Sequence, residues 1–134
     1  MGKFGFEPVL NDTADEAEGY MGVRVHLGDH AETFASWAKL WSLDHYLQHW
    51  HEAAAALLAG DECVLFCTDY ATTSCSCFVG WSDSDGFVFE EWVIKHEDIS
   101  RDGFRLKYLG EGGDPTANAS RFRVSKADVE TFTR

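Results

Sequence analysis

The stretch WSLDHYLQHWHEAAAALLAG, residues 41–60, constrains the fold of this chain more than any other segment. Its apolar residues recur at the helical spacing i, i+3, i+4, i+7, which predicts one wide apolar stripe. The stripe consists of Leu43, Tyr46, Leu47, Trp50, Ala54, Leu57 and Leu58. Ser42 is a favourable N-cap, Asp44 lies where the helix dipole favours negative charge, and Gly60 ends the helix. We therefore expect an amphipathic helix that covers a sheet.

The opposite side of this helix is predicted to be polar and to carry His45, Gln48, His49 and Glu52. His45 and His49 are four residues apart and Glu52 follows three residues later, so all three side chains can reach one ion. The spacing is not that of an H-E-x-x-H metalloprotease, because Tyr46 stands where the general base belongs. A surface histidine pair is also a frequent chance feature. We expect no metal here and surface positions for His45, His49 and His51.

Short runs of β-forming residues surround the helix, and each predicts a strand. The runs are Phe4–Phe6, Gly22–Leu27, Cys63–Asp69, Thr72–Trp81, Gly86–Ile94, Phe104–Tyr108 and Arg121–Val124. The run Cys63–Asp69 is almost continuously apolar, as in a central strand covered on both faces. The sequence SDSDG at residues 82–86 has the composition of a hairpin turn. Residues 28–36 are predicted to be a connection and residues 110–120 a loop, whereas Ser125 is suited to cap a short C-terminal helix.

These elements predict an α+β fold in a single domain spanning residues 1–134. The long helix follows the first strands, and the later strands are joined by short turns. Strands joined by tight turns pair antiparallel. We therefore expect an antiparallel β-sheet, a meander of about five strands, with one long amphipathic helix packed on one face and a short C-terminal helix.

The charge of the chain restricts its partners. It has 23 acidic and 11 basic residues and a formal net charge of −12. Such a protein repels phosphate, so we expect no direct binding to nucleic acid. The charge favours a cationic partner, although acidity also serves solubility alone. No apolar run has the length of a membrane span and the N-terminus has no signal-peptide pattern, so we expect no membrane contact and a cytoplasmic location.

The four cysteines, Cys63, Cys67, Cys75 and Cys77, have the spacing C-x3-C followed by C-x-C. This pattern lacks the paired C-x2-C motifs of a zinc ribbon. Thiols buried in strands as small apolar residues are the favoured interpretation, and a mixed His/Cys zinc site is the other. The alternative function is thus a small metal- or thiol-dependent enzyme that uses the His45/His49/Glu52 face or the Cys63–Cys77 cluster.

Acidic residues gather around the predicted hairpin and at the ends of strands. They are Asp69, Asp83, Asp85, Glu90, Glu91, Glu97, Asp98 and Asp102. One interpretation is a solvated rim. The other is a patch complementary to a basic protein, anchored by Trp81 or Trp92. Both tryptophans fit core positions equally well.

The segments LGDHAETF and WSLDHYLQHWHEAAAALLAG, followed by VLFCTDY, resemble a family of small bacterial immunity proteins. These proteins accompany contact-dependent growth inhibition and related polymorphic toxins. The matching positions are Trp41, Ser42, Leu43, Asp44, Tyr46, Gln48, Trp50, Glu52, Ala53 and Leu57. The end of the chain, FRVSKADVETF, resembles the closing segment of the family, with Phe122 near the place of a tryptophan. The similarity covers residues 22–70 and 121–132 and is weaker between them.

The resemblance implies a protein that is not an enzyme, and that binds and neutralises the C-terminal toxin domain of an effector, often a nuclease. Nuclease toxins tend to be basic because they bind phosphate, so an acidic inhibitor suits them. We therefore expect no catalytic residue, metal or cofactor, and a toxin-binding surface. The expected partner-binding residues are Asp69, Asp83, Asp85, Glu90, Glu91 and Trp81. A generic acidic adaptor is a further alternative.

Overall fold

Two antiparallel sheets and two helices make up most of the part of the chain that this computed structural model describes, namely residues 3–9, 19–61, 63–95, 99–100, 105–106, 113–115 and 121–134. The strands are β1 (Lys3–Val9), β2 (Tyr20–Gly28), β3 (His30–Trp37), β4 (Val64–Tyr70), β5 (Ser74–Asp83), β6 (Gly86–Lys95), β7 (Ile99–Ser100), β8 (Arg105–Leu106), β9 (Gly113–Pro115) and β10 (Phe122–Ser125). The helices are α1 (Leu43–Leu58) and α2 (Lys126–Thr133). The predicted α+β class, the long helix and the short C-terminal helix are confirmed.

The strands divide between two main sheets. The first has the order β1-β2-β3, and the second has the order β10-β6-β5-β4, with β9 also paired to β6. Strands β7 and β8 pair with each other. The hairpin predicted between β5 and β6 is confirmed, with Ser84 and Asp85 as its loop and a positive φ of 55° at Ser84.

The connection predicted at residues 28–36 is wrong, because these residues contain most of strand β3. Its alternate residues His30 and Glu32 face the second sheet although they are polar, so that face is mostly polar and the apolar alternation of a half-buried strand is missing. A two-residue loop, Gly28–Asp29, returns the chain from β2 to β3, and Leu27 pairs with His30 across it. Gly28 has a φ of 68°, as the first loop residue of a type II′ hairpin requires.

Other boundaries also differ from the sequence predictions. Strand β1 extends to Val9, well beyond the expected Phe4–Phe6. The loop predicted at 110–120 contains strand β9, which pairs with β6. The strand predicted at Phe104–Tyr108 is described only at Arg105–Leu106, and the rest of it lies outside the described residues.

Strand β3 runs across the strands of the second sheet. Every second residue of a strand lies on the same face. Along that face, the ring of His30 stacks on Phe122 of β10 at 4.3 Å, and the hydroxyl of Ser36 donates a hydrogen bond to the carbonyl of Thr68 in β4. Because β10 and β4 are the first and last strands of the β10-β6-β5-β4 path, β3 crosses the whole path.

The core lies between the two sheets and α1 and is rich in aromatic rings. Phe6 of β1 stacks on Phe66 of β4 with centroids 5.6 Å apart, and on Trp50 of α1 at 4.9 Å. Phe4 contacts Phe89 of β6 at 5.4 Å and Phe132 of α2 at 5.3 Å. Both helices therefore pack against β1, which belongs to the first sheet, whereas Phe66 and Phe89 belong to the second.

Helix α1 has the predicted ends. The hydroxyl of Ser42 accepts a hydrogen bond from the backbone N–H of His45 at 3.2 Å, which satisfies one of the exposed donors of the first turn. At the other end, Gly60 adopts a φ of 103° and its N–H reaches the carbonyl of Leu57. Ser125 caps α2 in the same way, by accepting from the N–H of Asp128.

Side chains of α1 bond to the outer edge of β4, the last strand of its sheet. Cys67 of β4 donates its N–H to Nε2 of His49 at 2.8 Å, and its carbonyl accepts from the indole N–H of Trp50 at 2.7 Å. The hydroxyl of Tyr46 accepts from the N–H of Tyr70 at 2.9 Å and donates to the carbonyl of Trp37 at 2.7 Å. These side chains take the place of a neighbouring strand.

We expect Gly28→Ala to destabilise the fold more than Gly60→Ala. Both positions have positive φ, which costs an alanine about 1 kcal/mol or more. A Cβ at Gly28 also collides with the carbonyl oxygen of Arg123, whereas a Cβ at Gly60 has no neighbour within 4 Å. Urea unfolding should therefore show a loss for Gly28→Ala that exceeds that of Gly60→Ala by about 1–3 kcal/mol. Equal losses would contradict the contact between the β2–β3 turn and β10.

Candidate protein-binding surface

Four of the six predicted partner-binding residues lie at the β5–β6 hairpin, and we call Trp81, Asp83, Asp85 and Glu90 the hairpin group. Two of its carboxylates are paired with arginines. Asp83 forms an ion pair with Arg123 of β10, and Glu90 forms one with Arg121, with Nε and Oε2 2.7 Å apart. These pairs join β10 to the hairpin and neutralise two of the acidic residues. Asp85 lies in the exposed loop.

The two tryptophans near the hairpin differ in burial. Trp92 is only 9% exposed and donates its indole N–H to Glu90 at 3.0 Å, so it belongs to the core. Trp81 is half-buried, and the guanidinium of Arg121 lies 5.8 Å from the centre of its ring. A cation over a tryptophan ring is a favourable contact. Trp81 is therefore the tryptophan of the pair that a partner can reach.

Asp69 and Glu91 are separated from the hairpin group, and we call them the cross-sheet group. Adjacent strand residues point to opposite faces, so Glu90 and Glu91 lie on different sides of the sheet. Glu91 pairs in register with Phe78, and Asp69 pairs with Ser76, two residues before Phe78 on β5. The cross-sheet group thus shares the face over which β3 passes. The predicted residues form two surfaces rather than one.

Among the described residues, the carboxylates of the cross-sheet group have no arginine or lysine that compensates their charge. Burial raises the pKa of Glu91, the charge of Glu32 raises it further, and His30 lowers it. Burial also raises the pKa of Asp69, against the N–H of Trp37, which donates to Asp69 at 2.9 Å and lowers it. Within the described ranges, no lysine or arginine forms an ion pair with Asp69 or Glu91. Both carboxylates are therefore held in a setting that disfavours their charge.

Sequence reasoning missed Glu32 and His30 as neighbours of Glu91. Both lie on β3, whose residues were expected to connect two elements. Nε2 of His30 lies 3.4 Å from Oε2 of Glu32, so both side chains lie together on the same face of β3. The available signal was the alternation of larger residues with Ala31, Thr33 and Ala35, which have exposed positions.

The predicted surface position of His49 is wrong. Its side chain is only 9% exposed, and burial lowers its pKa to about 3, with a further lowering by His45. Neutral Nε2 accepts the N–H of Cys67, so this nitrogen has a structural role. The sequence pattern placed His49 on the polar side of α1, but this position faces the edge of β4. The buried backbone N–H of Cys67 there needs a polar acceptor. His45 and His51 are exposed, as predicted.

Three of the four cysteines are buried thiols in strands, as the favoured interpretation expected. Cys67, Cys75 and Cys77 are buried, and Cys63 is partly exposed just before β4. Burial raises the pKa of Cys67 and of Cys77, and a contact with Cys75 raises both further. A nucleophilic thiol requires the opposite conditions, exposure and a lowered pKa. These two thiols consequently act as small core residues.

Two further observations concern ligands and membranes. In the described part of the chain, no three His, Cys, Asp or Glu side chains are arranged to hold a metal ion. None of the helices described there is long and apolar enough to cross a membrane. Glu97, Asp98 and Asp102, which were expected to extend the acidic surface, lie outside the described residues.

A comparison with solved structures gives a likeness along nearly the whole chain. It is to a chain of the "CdiA-CT/CdiI toxin and immunity complex from Enterobacter cloacae", with a TM-score of 0.74 and 15% sequence identity. The alignment covers 97% of this chain and 95% of the other. No protein-family model matches the sequence, and no curated protein matches it. At this identity the likeness is one of fold, and at that level the resemblance to contact-dependent growth inhibition immunity proteins is confirmed.

We expect His49→Gln to flatten the acid dependence of stability. Unfolded His49 binds a proton near pH 6.5, whereas folded His49 does so only near its pKa of about 3. Its contribution to stability is thus complete above pH 6.5 and is lost as the pH falls towards 3, at about 1.4 kcal/mol per pH unit. Glutamine keeps an acceptor for Cys67 but does not titrate. Urea unfolding of both proteins from pH 7.5 to 4.5 measures the difference, and parallel curves would contradict the buried neutral histidine.

Proposed function

We propose that this protein is an immunity protein that binds a cognate toxin domain and neutralises it by covering its active surface. The observation that carries the proposal is the fold likeness, along 97% of the chain, to a chain of a toxin and immunity complex. The resemblance of residues 22–70 and 121–132 to such proteins supports it independently. We propose further that the chain is a single domain, acts in the cytoplasm and has no catalytic activity.

A basic toxin, most simply a nuclease, is the partner that the charge favours. With a net charge of −12, the protein attracts a cationic surface over a distance and speeds its association. An enzyme that binds phosphate has such a surface. The toxin would be the C-terminal domain of a contact-dependent inhibition effector or a related effector.

The enzymatic alternative has no specific observation in its favour. His49 already accepts a backbone hydrogen bond, so it is not available to join His45 and Glu52 at an exposed site. Cys67 and Cys77 are buried, and their pKa values are raised. The histidine and cysteine patterns are therefore explained by packing and by hydrogen bonding to the edge of β4.

All six predicted residues remain candidates for contact with the toxin, but they are not equivalent. In the hairpin group, ion pairs with Arg123 and Arg121 already engage Asp83 and Glu90. Asp85 and Trp81 are the members of this group that we expect to contribute most. An aromatic ring that is half-exposed beside a charged rim is typical of residues that dominate a protein interface.

Co-expression with candidate toxin domains, chosen first from neighbouring genes, tests the function. We expect the wild-type chain to restore growth to cells that produce the toxin and to form a 1:1 complex with the purified domain. A chain that neither protects nor binds any neighbouring toxin domain would overturn the proposal.

We expect Asp85→Lys to weaken the complex about tenfold and mainly to slow association, because it reverses an exposed charge in the interface. Glu130→Lys, an equal change of charge on the exposed side of α2, is the matched control and should have a smaller effect. Surface plasmon resonance at low and moderate salt measures both variants. Equal effects would show that the hairpin contributes only to the overall charge.

A further inference from the structure

We propose that the sheet face beside β3 receives an arginine or lysine side chain of a basic protein partner. This surface, which we call the β3-side surface, consists of Glu32, Asp69, Ser76, Glu91 and Val93. The inference rests on the proposed function, because it assigns part of the toxin-binding surface. It also predicts binding of simpler cationic ligands, which makes it separately testable.

The register of the sheet places these residues together. Asp69 pairs with Ser76, and Ser76 pairs with Val93, so the three form one row across β4, β5 and β6. Glu91 precedes Val93 by two residues on β6 and lies on the same face. From β3, which crosses that face, Glu32 comes close enough for its charge to raise the pKa of Glu91.

The centre of this surface is apolar and exposed. Val93 is 46% exposed and, with Leu40, is one of two large hydrophobic residues that are exposed in the described part of the chain. The neighbouring residue Phe78 on the same face is buried against Phe6 and Phe122, whereas Val93 is uncovered. An isolated exposed valine needs no explanation. Val93 differs from such a residue because it lies in a sheet between half-buried carboxylates.

The carboxylates on the two faces of the second sheet differ in whether a positive charge lies beside them. On the hairpin side, Arg121 and Arg123 neutralise Glu90 and Asp83. On the β3 side, the described contacts supply Glu91 with only His30 as a counter-charge, and they oppose it with Glu32. The β3-side surface is therefore the place where an external cation gains the most from charge complementarity.

An arginine or lysine fits this surface better than a small cation does. Its aliphatic stem can lie on Val93 while its charged end reaches the carboxylates of Glu91 and Glu32. The planar guanidinium of an arginine can bond to both carboxylates at once. The bound cation also relieves the repulsion between these carboxylates. The surface thus selects a cationic side chain over a neutral one.

The charge of Glu91 is expected to favour cation binding but to disfavour folding. Glu91→Gln should raise Tm at neutral pH, because it removes a half-buried charge that burial and Glu32 disfavour. A carboxylate with a raised pKa contributes stability below the pKa of its unfolded form, and that contribution is lost as the pH rises through the folded pKa. The gain from Glu91→Gln should consequently shrink as the pH is lowered. The same substitution should weaken the binding of a cation.

The direct test uses a nona-arginine peptide as the probe and the full chain as the receptor. We expect NMR titration to shift the signals of Val93 and Ser76 more than those of residues elsewhere. The double variant Glu32→Gln with Glu91→Gln should weaken binding at least about fivefold. Glu52→Gln with Glu130→Gln removes the same charge from exposed positions on α1 and α2 and is the matched control. It should weaken binding less than twofold.

Several outcomes would overturn the inference. Peptide shifts centred on the hairpin group, or equal weakening by both double variants, would show that the β3-side surface has no special affinity for cations. A dimer that Val93→Lys dissociates would show that a second copy of this chain covers the surface instead.

The toxin itself provides a second and distinguishable test. If the wild-type chain binds a toxin domain and the Glu32→Gln/Glu91→Gln variant binds it equally well, the inference fails while the proposed function stands. If the peptide binds at the β3-side surface but no toxin is neutralised, the proposed function fails while the cation-binding surface stands.

Discussion

Strand β4 can end its sheet because side chains bond to the polar groups of its outer edge. An uncovered edge strand is a template for association with other chains. Tyr46, His49 and Trp50 follow the spacing i, i+3, i+4, so one side of α1 presents two acceptors and two donors to β4 and β3. A rotation of α1 by one residue, about 100°, would lose all of these bonds. The same contacts therefore close the edge and fix the rotation of the helix.

The position of β3 depends on this closed edge. At its C-terminal end, β3 is bound to β4 through Ser36 and through the N–H of Trp37, which donates to Asp69. At its N-terminal end, the turn at Gly28 touches the backbone of Arg123 in β10, next to the stack of His30 on Phe122. Because both of its ends are bound, β3 lies in a fixed position across the second sheet.

The sequence was most informative where structure is local. Helix α1, its caps at Ser42 and Gly60, and the turn at residues 82–86 depend on neighbouring residues, and they were predicted correctly. Strand β3 and the inward position of His49 depend on partners far along the chain. The alternation in residues 30–37 can indicate a strand, but it does not show that the polar side chains of that strand will face another sheet. No periodicity distinguishes a histidine in water from one that accepts a buried N–H.

The candidate surface shows the same difference between features that depend on local sequence and features that depend on distant contacts. Composition and charge predicted an acidic protein with carboxylates at the ends of its strands. Whether each carboxylate is neutralised was decided by β10, which brings Arg121 and Arg123 to Glu90 and Asp83 from about 30 residues away or more. The contrast between Glu90 and Glu91, which are adjacent in sequence, arises only from the alternation of a strand and from what lies on each of its faces.

Alkylation of the buried thiols in β4 and β5 can measure how often the structure around them opens. Cys67 on β4 pairs with Cys77 on β5 and both thiols are buried, so a reagent reaches them only when the structure around them opens locally. A thiol reacts as its thiolate, which burial suppresses here. The rate at which an alkylating agent modifies Cys67 and Cys77 in the folded protein is thus proportional to the population of that local opening. The molecule contains its own reporter for the free energy of local opening around the pairing of β4 with β5.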